Sequence, residues 1–369
     1  MSDPYTRAKP LHVMVTGGTG FIGHNVVLDL LEWTDWTFTV VDAHTYAGLP
    51  EKLTNDPRFD PERVNVVTWD LTKSLVQAEG QAGPPGLKSP DIIYNIASNS
   101  HVDNSISDPV PFITDNVALM VNMLEYARIV KPKLFIQFST DEVYGAAPDG
   151  VDFKEWSAIL PSNPYSASKA AQEAIAIAYW RTYDVPLVIT NTMNVLGKRQ
   201  HPEKFVPKTV EYLLEGKPMT VHAEYVVTHD HRSCSLCQRG ADDHDKGEWQ
   251  AGSRFYTFVT NISSALKFLT ERMGLLGVQQ FPHADRPERF NIVGDREVKN
   301  DEMVRLVAEI IGVPAHMDYV DFHGSRPGHD RRYALDGEAL ERAGWRPPVS
   351  FEEGLKMTVE DSMPKVEAG

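Results

Sequence analysis

Short apolar runs alternate with helical periodicities through the first half of the chain. His12-Val13-Met14-Val15-Thr16 is such a run and breaks at glycines, while Phe21 to Trp33 repeats apolar residues at helical spacing, with Phe21, Ile22, Val26, Val27, Leu30 and Leu31 on a core face. Phe38 to Asp42 then predicts a second strand. The alternation continues through Val64–Val67, Ile92–Asn95, Lys133–Phe138 and Leu187–Thr190, each separated by a helical or loop segment. This pattern predicts an α/β fold built on a doubly wound parallel sheet. Gly80 to Pro90, rich in Gly and Pro, reads as a surface loop. After about Asn191 the pattern becomes irregular, and helices at Asn300–Ile311 and Gly337–Ala343 alternate with Pro-rich and His-rich loops. Residues 1–190 are therefore assigned to the sheet domain, with a later return segment near 253–270. Residues 191–369 are assigned mainly to a smaller α/β lobe that includes an inserted segment at 222–252. No internal repeat or low-complexity tract is visible.

The 36 basic and 51 acidic residues give a formal charge of −15. That balance argues against non-specific binding to nucleic acid or to an anionic membrane surface, so an anionic substrate must be held by local Arg and Lys. Met1 to Pro10 lacks an apolar core, and no run approaches the roughly 18 apolar residues that span a bilayer. A cytoplasmic protein is expected. The two cysteines, Cys234 and Cys237, offer no disulfide framework and suit a reducing compartment.

Thr16-Gly17-Gly18-Thr19-Gly20-Phe21-Ile22-Gly23 links the first strand to the first helix. Glycines there let the backbone approach a pyrophosphate, and the helix amino terminus offers it unpaired N–H groups, so Gly17, Gly20, Phe21, Ile22 and Gly23 are candidate contacts for a dinucleotide. Asp42 ends the second strand 19 residues after Gly23, where its carboxylate can accept from a ribose diol and repel a 2′-phosphate. NAD is favoured over NADP. Asp70 and Leu71 close the third strand and can meet the adenine edge, and Ala97 is assigned to the same site.

The chemistry-bearing residues follow the fifth strand. Ser139-Thr140-Asp141-Glu142-Val143-Tyr144-Gly145 places a hydroxyl and two carboxylates at its carboxyl end, where open α/β sheets bind ligands. In Tyr165-Ser166-Ala167-Ser168-Lys169 a phenol and an ammonium stand at i and i+4 on the next helix and project from one face. Thr140, Asp141, Glu142, Tyr165 and Lys169 are the candidate catalytic residues.

With these motifs the sequence resembles the extended short-chain dehydrogenase/reductases, a Rossmann-fold family, and within them the nucleotide-sugar 4,6-dehydratases of the dTDP-glucose type. The resemblance covers nearly the whole chain except about His222 to Gly252. It rests on the glycine fingerprint, Asp42 with Thr45-Tyr46-Ala47-Gly48, Ser100-His101-Val102-Asp103, the run from Ser139 to Gly145, Tyr165 and Lys169. Farther on it rests on His201-Pro202-Glu203-Lys204-Phe205, Asn291-Ile292 and Arg326 to Tyr333. It implies that Tyr165 as phenolate takes the proton of the sugar 4-hydroxyl while hydride passes from C4 to NAD. Lys169 lowers the phenol pKa and holds the nicotinamide ribose, and Thr140 orients the hydroxyl. Glu142 removes the acidified C5 proton and protonated Asp141 gives a proton to the leaving 6-hydroxyl, after which hydride returns to C6.

The resemblance also assigns substrate contacts on the nucleotide diphosphate sugar. Asn194, Arg254, Asn291 and Arg326 fall at the diphosphate and sugar, Glu203, Lys204 and Phe205 at the base, and His329 nearby. The chain departs from the family at Asn99, Asn104, Val195 and Phe255-Tyr256, positions around the nucleotide and sugar. An epimerase or a 5,6-dehydratase on the same fold, and a non-catalytic NAD-binding scaffold, remain as alternatives.

Two expectations concern assembly and metal. The helix from Tyr165 to about Tyr183 is apolar on more than the one face its sheet can cover. Its extra face is expected to pair with its copy, and the resemblance implies a homodimer through this helix and the one near Asn116–Val130. In the insertion, His229, His231, Cys234 and Cys237 make a tetrahedral zinc set, with His222 and His244 in reserve. A redox pair and a solvated loop are the competing readings of that segment.

Overall fold

Seven strands, most of them continuous apolar runs, form one parallel sheet. The computed structural model describes residues 9–45, 47–76, 84, 87–227, 247–274, 285–321 and 330–364. The chain begins β1 (His12–Thr16), α1 (Phe21–Trp33), β2 (Thr37–Asp42), a one-turn α2 (Glu51–Thr54), β3 (Val64–Thr68) and β4 (Ile92–Asn95). It continues through α3 (Val102–Ser107), α4 (Pro109–Val130), β5 (Leu134–Thr140), α5 (Pro164–Tyr183) and β6 (Leu187–Thr192). Then come β7 (Asn194–Leu196), α6 (Phe205–Leu214), β8 (Met219–Val227), β9 (Gly247–Ala251), β10 (Ser253–Phe258) and α7 (Val259–Leu269). The described chain ends with β11 (Glu288–Ile292), β12 (Glu297–Lys299), α8 (Asn300–Ile311), β13 (Met317–Asp321), β14 (Arg332–Tyr333), α9 (Glu338–Ala343) and α10 (Phe351–Ser362).

The main sheet has the order β11-β6-β5-β4-β1-β2-β3, so the strand order reverses between β1 and β4. That reversal is the point at which doubly wound sheets open a crevice for ligands. Period-two alternation divides the strands between two cores. Val13 and Val15 face a cluster with Val26, Leu30, Ile262 and Leu266 from α1 and α7. Met14 between them faces Met120, Met123 and Leu124 of α4 on the other side. The parallel doubly wound sheet read from the apolar runs is the fold observed.

The return of the chain is more extensive than residues 253–270. Helix α7 covers the α1 face of the main sheet, and β11 later adds the seventh strand beside β6, pairing Glu288 with Val188 through Ile292 with Thr192. Elsewhere, β10 is the hub of a small sheet with β12, β14 and β7, and β8 joins β9 and β13 in another. A third core binds these to α6, α8 and α10 through Val206, Val210, Val304, Val307, Phe351 and Leu355. Of the expected Gly80–Pro90 surface loop, residues 80–83, 85 and 86 lie outside the described residues, and Pro84 and Pro90 are buried.

Candidate active site

A cavity of about 790 Å³ runs over the carboxyl ends of the central strands. At one end is the glycine turn. Gly17 has φ +66°, which a side chain would strain, and a Cβ on Gly23 would run into the carbonyl oxygen of Gly17, so helix α1 can approach the turn only because both are glycine. Its N-cap, Gly20, offers no side-chain cap, and the first helical amides, of Phe21, Ile22 and Gly23, belong to residues that line the cavity. Asp42 lies on the same wall. Its Oδ2 accepts from the Thr19 amide at 3.0 Å and its Oδ1 from the His44 amide at 2.9 Å, which fixes the carboxylate and leaves lone pairs for a diol. Asp70, Leu71 and Ala97 also line this end. These features fit the pyrophosphate and adenosine ribose of a dinucleotide.

At the middle of the cavity β5 ends in a one-turn 3-10 helix, Asp141–Tyr144, with Thr140 as its N-cap. The Thr140 hydroxyl donates to Asp141 Oδ1 at 2.9 Å and accepts from the Glu142 amide at 3.3 Å. Asp141 is buried and its Oδ2 has no hydrogen-bond partner. Burial, followed by the charge of Glu142, pushes its carboxyl up to about 7, so it holds a proton at neutral pH far more readily than an ordinary aspartate. Glu142 is also raised by burial, but Asn163 Nδ2 donates to its Oε2 at 3.1 Å, and Arg254 and Lys204 act in the opposite sense to burial. Both neighbours are raised, and they differ in the groups that act on them.

Helix α5 starts at a capping box on Asn163 and brings Tyr165 and Lys169 to the same wall. The Lys169 Nζ donates to the Phe138 carbonyl at 2.7 Å, and burial lowers its pKa to about 8. A lowered Tyr165 pKa, implied by the family resemblance, is not what the arrangement gives. Burial first, then the anions of Glu142 and Asp141, push the phenol up, against a hydrogen bond with Thr140. Placing a proton on Asp141 removes one of those opposing charges.

The far end holds Asn194 of β7, Glu203, Lys204, Phe205 and Arg254 of β10. Glu203 lies 3.5 Å from His101, 3.6 Å from His201 and 3.8 Å from Lys204. The Arg254 guanidinium is aimed by donation to the carbonyls of Ser253, Asp330 and Arg331 and lies over the Tyr333 ring at 4.4 Å. Tyr333 was not picked out in the sequence as a site residue, yet its hydroxyl comes within 3.5 Å of Glu142 Oε2. Asn163 was missed as well; its place before Pro164 and three residues before Ser166 is a helix-start signal, which says nothing of Glu142.

Asn291 does not reach the cavity. It is buried on β11 and its amide donates to the carbonyls of Phe153 and Asp336, because β11 is an integral strand of the main sheet. Arg326 and His329 lie outside the described residues, as do the zinc candidates His229, His231, Cys234 and Cys237 and the reserve His244. His222 is on β8 and lines the cavity. Among the described residues no group of three or more His, Cys, Asp or Glu is placed to hold a metal ion.

The model of the NAD dependent epimerase/dehydratase family matches residues 13–231. The chain belongs to this family. It is 33% identical to the low-salt glycan biosynthesis protein Agl12 of Haloferax volcanii, over 95% of this chain and 98% of that protein. It is likewise 33% identical to dTDP-glucose 4,6-dehydratase 1 of Escherichia coli, over 95% and 92% of the two chains. Among solved structures, DesIV, the dTDP-glucose 4,6-dehydratase of Streptomyces venezuelae in an NAD-bound form, is 31% identical and superposes with a TM-score of 0.76 over 95% of this chain and 96% of its own.

The burial of Asp141 has a consequence for stability that separates it from catalysis. Its folded pKa is raised to about 7 from an ordinary 3.8, so the native state binds the proton more tightly than the unfolded chain. Stability from this group is lost as pH rises from about 4 to about 7, and the full penalty is present above that. Asp141→Asn removes the penalty. In urea denaturation the variant is expected to be more stable than wild type at about pH 8, with an advantage that shrinks towards about pH 4. Equal midpoint differences at both pH values would show that the site bears no such charge.

Proposed function

We propose that the chain is an NAD-dependent nucleotide-sugar 4,6-dehydratase, converting a nucleotide diphosphate sugar of the dTDP- or UDP-glucose type to its 4-keto-6-deoxy derivative. The observation that carries this reading is the pair Asp141 and Glu142, adjacent, held by different partners and next to Tyr165, with Asp141 raised far enough to keep a proton near neutral pH. Eliminating water across C5 and C6 needs a base and an acid beyond the group that handles the 4-hydroxyl proton, whereas epimerisation at C4 needs that one group alone. NAD, held by the glycine turn and Asp42, would supply the hydride acceptor for C4 and the donor for C6. Tyr165 removes the 4-hydroxyl proton, Thr140 orients that hydroxyl and Lys169 holds the nicotinamide ribose. Glu142 takes the C5 proton made acidic by the neighbouring ketone, and Asp141 protonates the departing 6-hydroxyl. Glu142 then returns its proton to C5. One turnover leaves a proton gained at Tyr165 and one lost at Asp141, so the site resets by net transfer between them, and Thr140 stands next to both.

On this reading the seven-stranded sheet holds the cofactor, and residues mainly after 191 hold the substrate. Arg254 and Asn194 are assigned to the diphosphate and sugar, and Glu203, Lys204 and Phe205 to the base, as their places along the cavity support. Arg326 and His329 keep their assigned roles as substrate contacts. Tyr333 and Asn163 join them as groups that set the charge and direction of Glu142.

Incubating the protein with NAD and a panel of nucleotide sugars should give a product lighter by one water in mass spectrometry; an unchanged mass for every sugar contradicts the reading. Glu142→Gln is expected to stop water loss by about 10²-fold or more while a transient absorbance of reduced cofactor survives, since the base acts only after the ketone exists. Tyr165→Phe should suppress that absorbance itself, and undiminished cofactor reduction would remove the phenol from the first step.

A homodimer is part of the proposal. Val110 and Ile113 on α4 are 66% and 39% exposed and Tyr183 at the end of α5 is 50% exposed, beside the exposed small residues Ala174 and Ala178. An apolar face of this kind is covered by a second copy in a helical bundle. Light scattering should give twice the chain mass at micromolar concentration, and a monomer mass would rule the pairing out. A structural zinc at His229, His231, Cys234 and Cys237 is proposed from the ligand chemistry of that segment alone. Elemental analysis of protein purified without added metal should find about one zinc per chain, lost in a Cys234→Ser/Cys237→Ser variant, and metal-free active protein would refute it.

A further inference from the structure

Beneath the carboxylates lies a charged pair that the reaction as described does not use. Glu173 and Arg289 meet at 2.7 Å with side chains 0% and 1% exposed. A pair buried this deeply recovers its desolvation cost only when its remaining lone pairs and protons are satisfied, and apolar residues of similar volume commonly hold such a place as well or better. The question is what the charges do there.

Their hydrogen bonds lead to both ends of the turn that carries Asp141 and Glu142. Glu173 Oε1 accepts from the Ser139 hydroxyl at 2.5 Å and from Asn191 Nδ2 at 2.8 Å, and the same Asn191 amide donates to the Thr140 carbonyl at 3.0 Å. On the other side Arg289 Nη1 donates to the Tyr144 hydroxyl at 3.2 Å and to the Glu155 carbonyl at 3.1 Å, and its guanidinium lies 4.4 Å over the Trp156 ring. The residues before Asp141 and the residue closing its turn are thus tied to one ion pair.

Glu173 also bears on Lys169. It follows Lys169 by four residues on α5, one turn along the same face, and Lys169 Nζ is bonded to Phe138, the neighbour of Ser139. Tyr165 precedes Lys169 by four residues on α5; Asp141, Glu142 and Asp115 line the same cavity, and Arg289 of β11 is held by Glu173. Burial lowers Lys169, and Glu173 is the charge that raises it.

We infer that Glu173, locked to Arg289, is a positioning residue for the reaction: it fixes the carboxyl end of β5 on which Asp141 and Glu142 stand, and it supplies the buried anion against which Lys169 keeps its charge. The inference rests on the dehydratase reading for its kinetic consequence, while its effect on Lys169 does not depend on that reading. Without the anion Lys169 gives up its proton at lower pH, and a neutral amine no longer favours the Tyr165 phenolate. The ascending limb of cofactor reduction must then move to higher pH.

The test removes the pair together, so that no lone charge is stranded, in Glu173→Gln/Arg289→Met, and compares it with Glu173→Asp, which keeps the anion. The ε-carbon of Lys169 is titrated by NMR in lysine-labelled protein, assigned with Lys169→Arg, and single-turnover cofactor reduction is followed across pH. The double variant should titrate Lys169 about one pH unit or more below wild type and reduce cofactor about tenfold more slowly near neutrality, with its ascending limb moved up in pH. Glu173→Asp should stay near wild type in both. A wild-type Lys169 titration in a folded double variant overturns the inference, and so does an equal rate loss at every pH. Should the double variant not fold, the same titration in Glu173→Gln decides, an unshifted Lys169 again overturning it. Failure of the wild type to reduce cofactor with any nucleotide sugar would instead sink the dehydratase reading, leaving the Lys169 titration to judge this one.

Discussion

Two carboxylates held side by side at the dry end of one strand are the constraint to which the rest of the site answers. Each loses hydration and is raised by burial, and the charge of Glu142 adds to the cost of ionising Asp141, whose carboxyl is pushed up to about 7. Thr140 bonds Asp141, while Asn163 and Tyr333 reach Glu142, and Arg254 lies behind Tyr333. This division of partners gives two similar side chains different surroundings, as the proposed acid and base require. Tyr165 is affected in turn, because its phenol loses a proton more easily when only one of its neighbours is charged.

The sheet makes such an arrangement possible. A parallel sheet covered on both faces leaves its strand ends as the place where polar groups can collect without disturbing a core. At one side of the strand-order reversal the glycine turn and Asp42 suit a dinucleotide; on the other the end of β5 suits the chemistry. The same frame serves epimerases: the UDP-glucose 4-epimerase of Thermus thermophilus, in complex with NAD, superposes with a TM-score of 0.73 at 26% identity, over 95% of this chain and 99% of its own. What separates the two chemistries must then lie in the few side chains at the strand end, which is why Asp141 and Glu142 carry more of the functional argument than the fold does.

Much of this was legible in the sequence because it is local. The strands from β1 to β6 are continuous apolar runs, α1 and α8 have the bounds their periodicity gives, and the glycine turn and the Thr-Asp-Glu run each carry their chemistry within a few residues. What escaped notice depends on contacts between distant segments. β11, with Glu288, Arg289 and Asn291 among its five residues, has no apolar signature, and its place in the main sheet is set by β6 about a hundred residues earlier. That placement is also why Asn291, assigned to the substrate, turns out to bond the carbonyls of Phe153 and Asp336. Tyr333 belongs to a strand of two residues, too short for any period, and Glu173 reads as one more polar residue of a long helix until Arg289 is seen to meet it. The raised Tyr165 phenol has the same origin, since the residues that oppose its ionisation face it across the cavity rather than along its helix.

The central claim is that one site oxidises C4, removes water across C5 and C6, and returns the same hydride. Deuterium placed at C4 of an accepted nucleotide sugar follows that hydride directly. The account predicts a product that has lost one water and carries the deuterium at C6 of the same molecule, with ordinary hydrogen at C5. Deuterium found again at C4 with no loss of mass would mark an epimerase and contradict it.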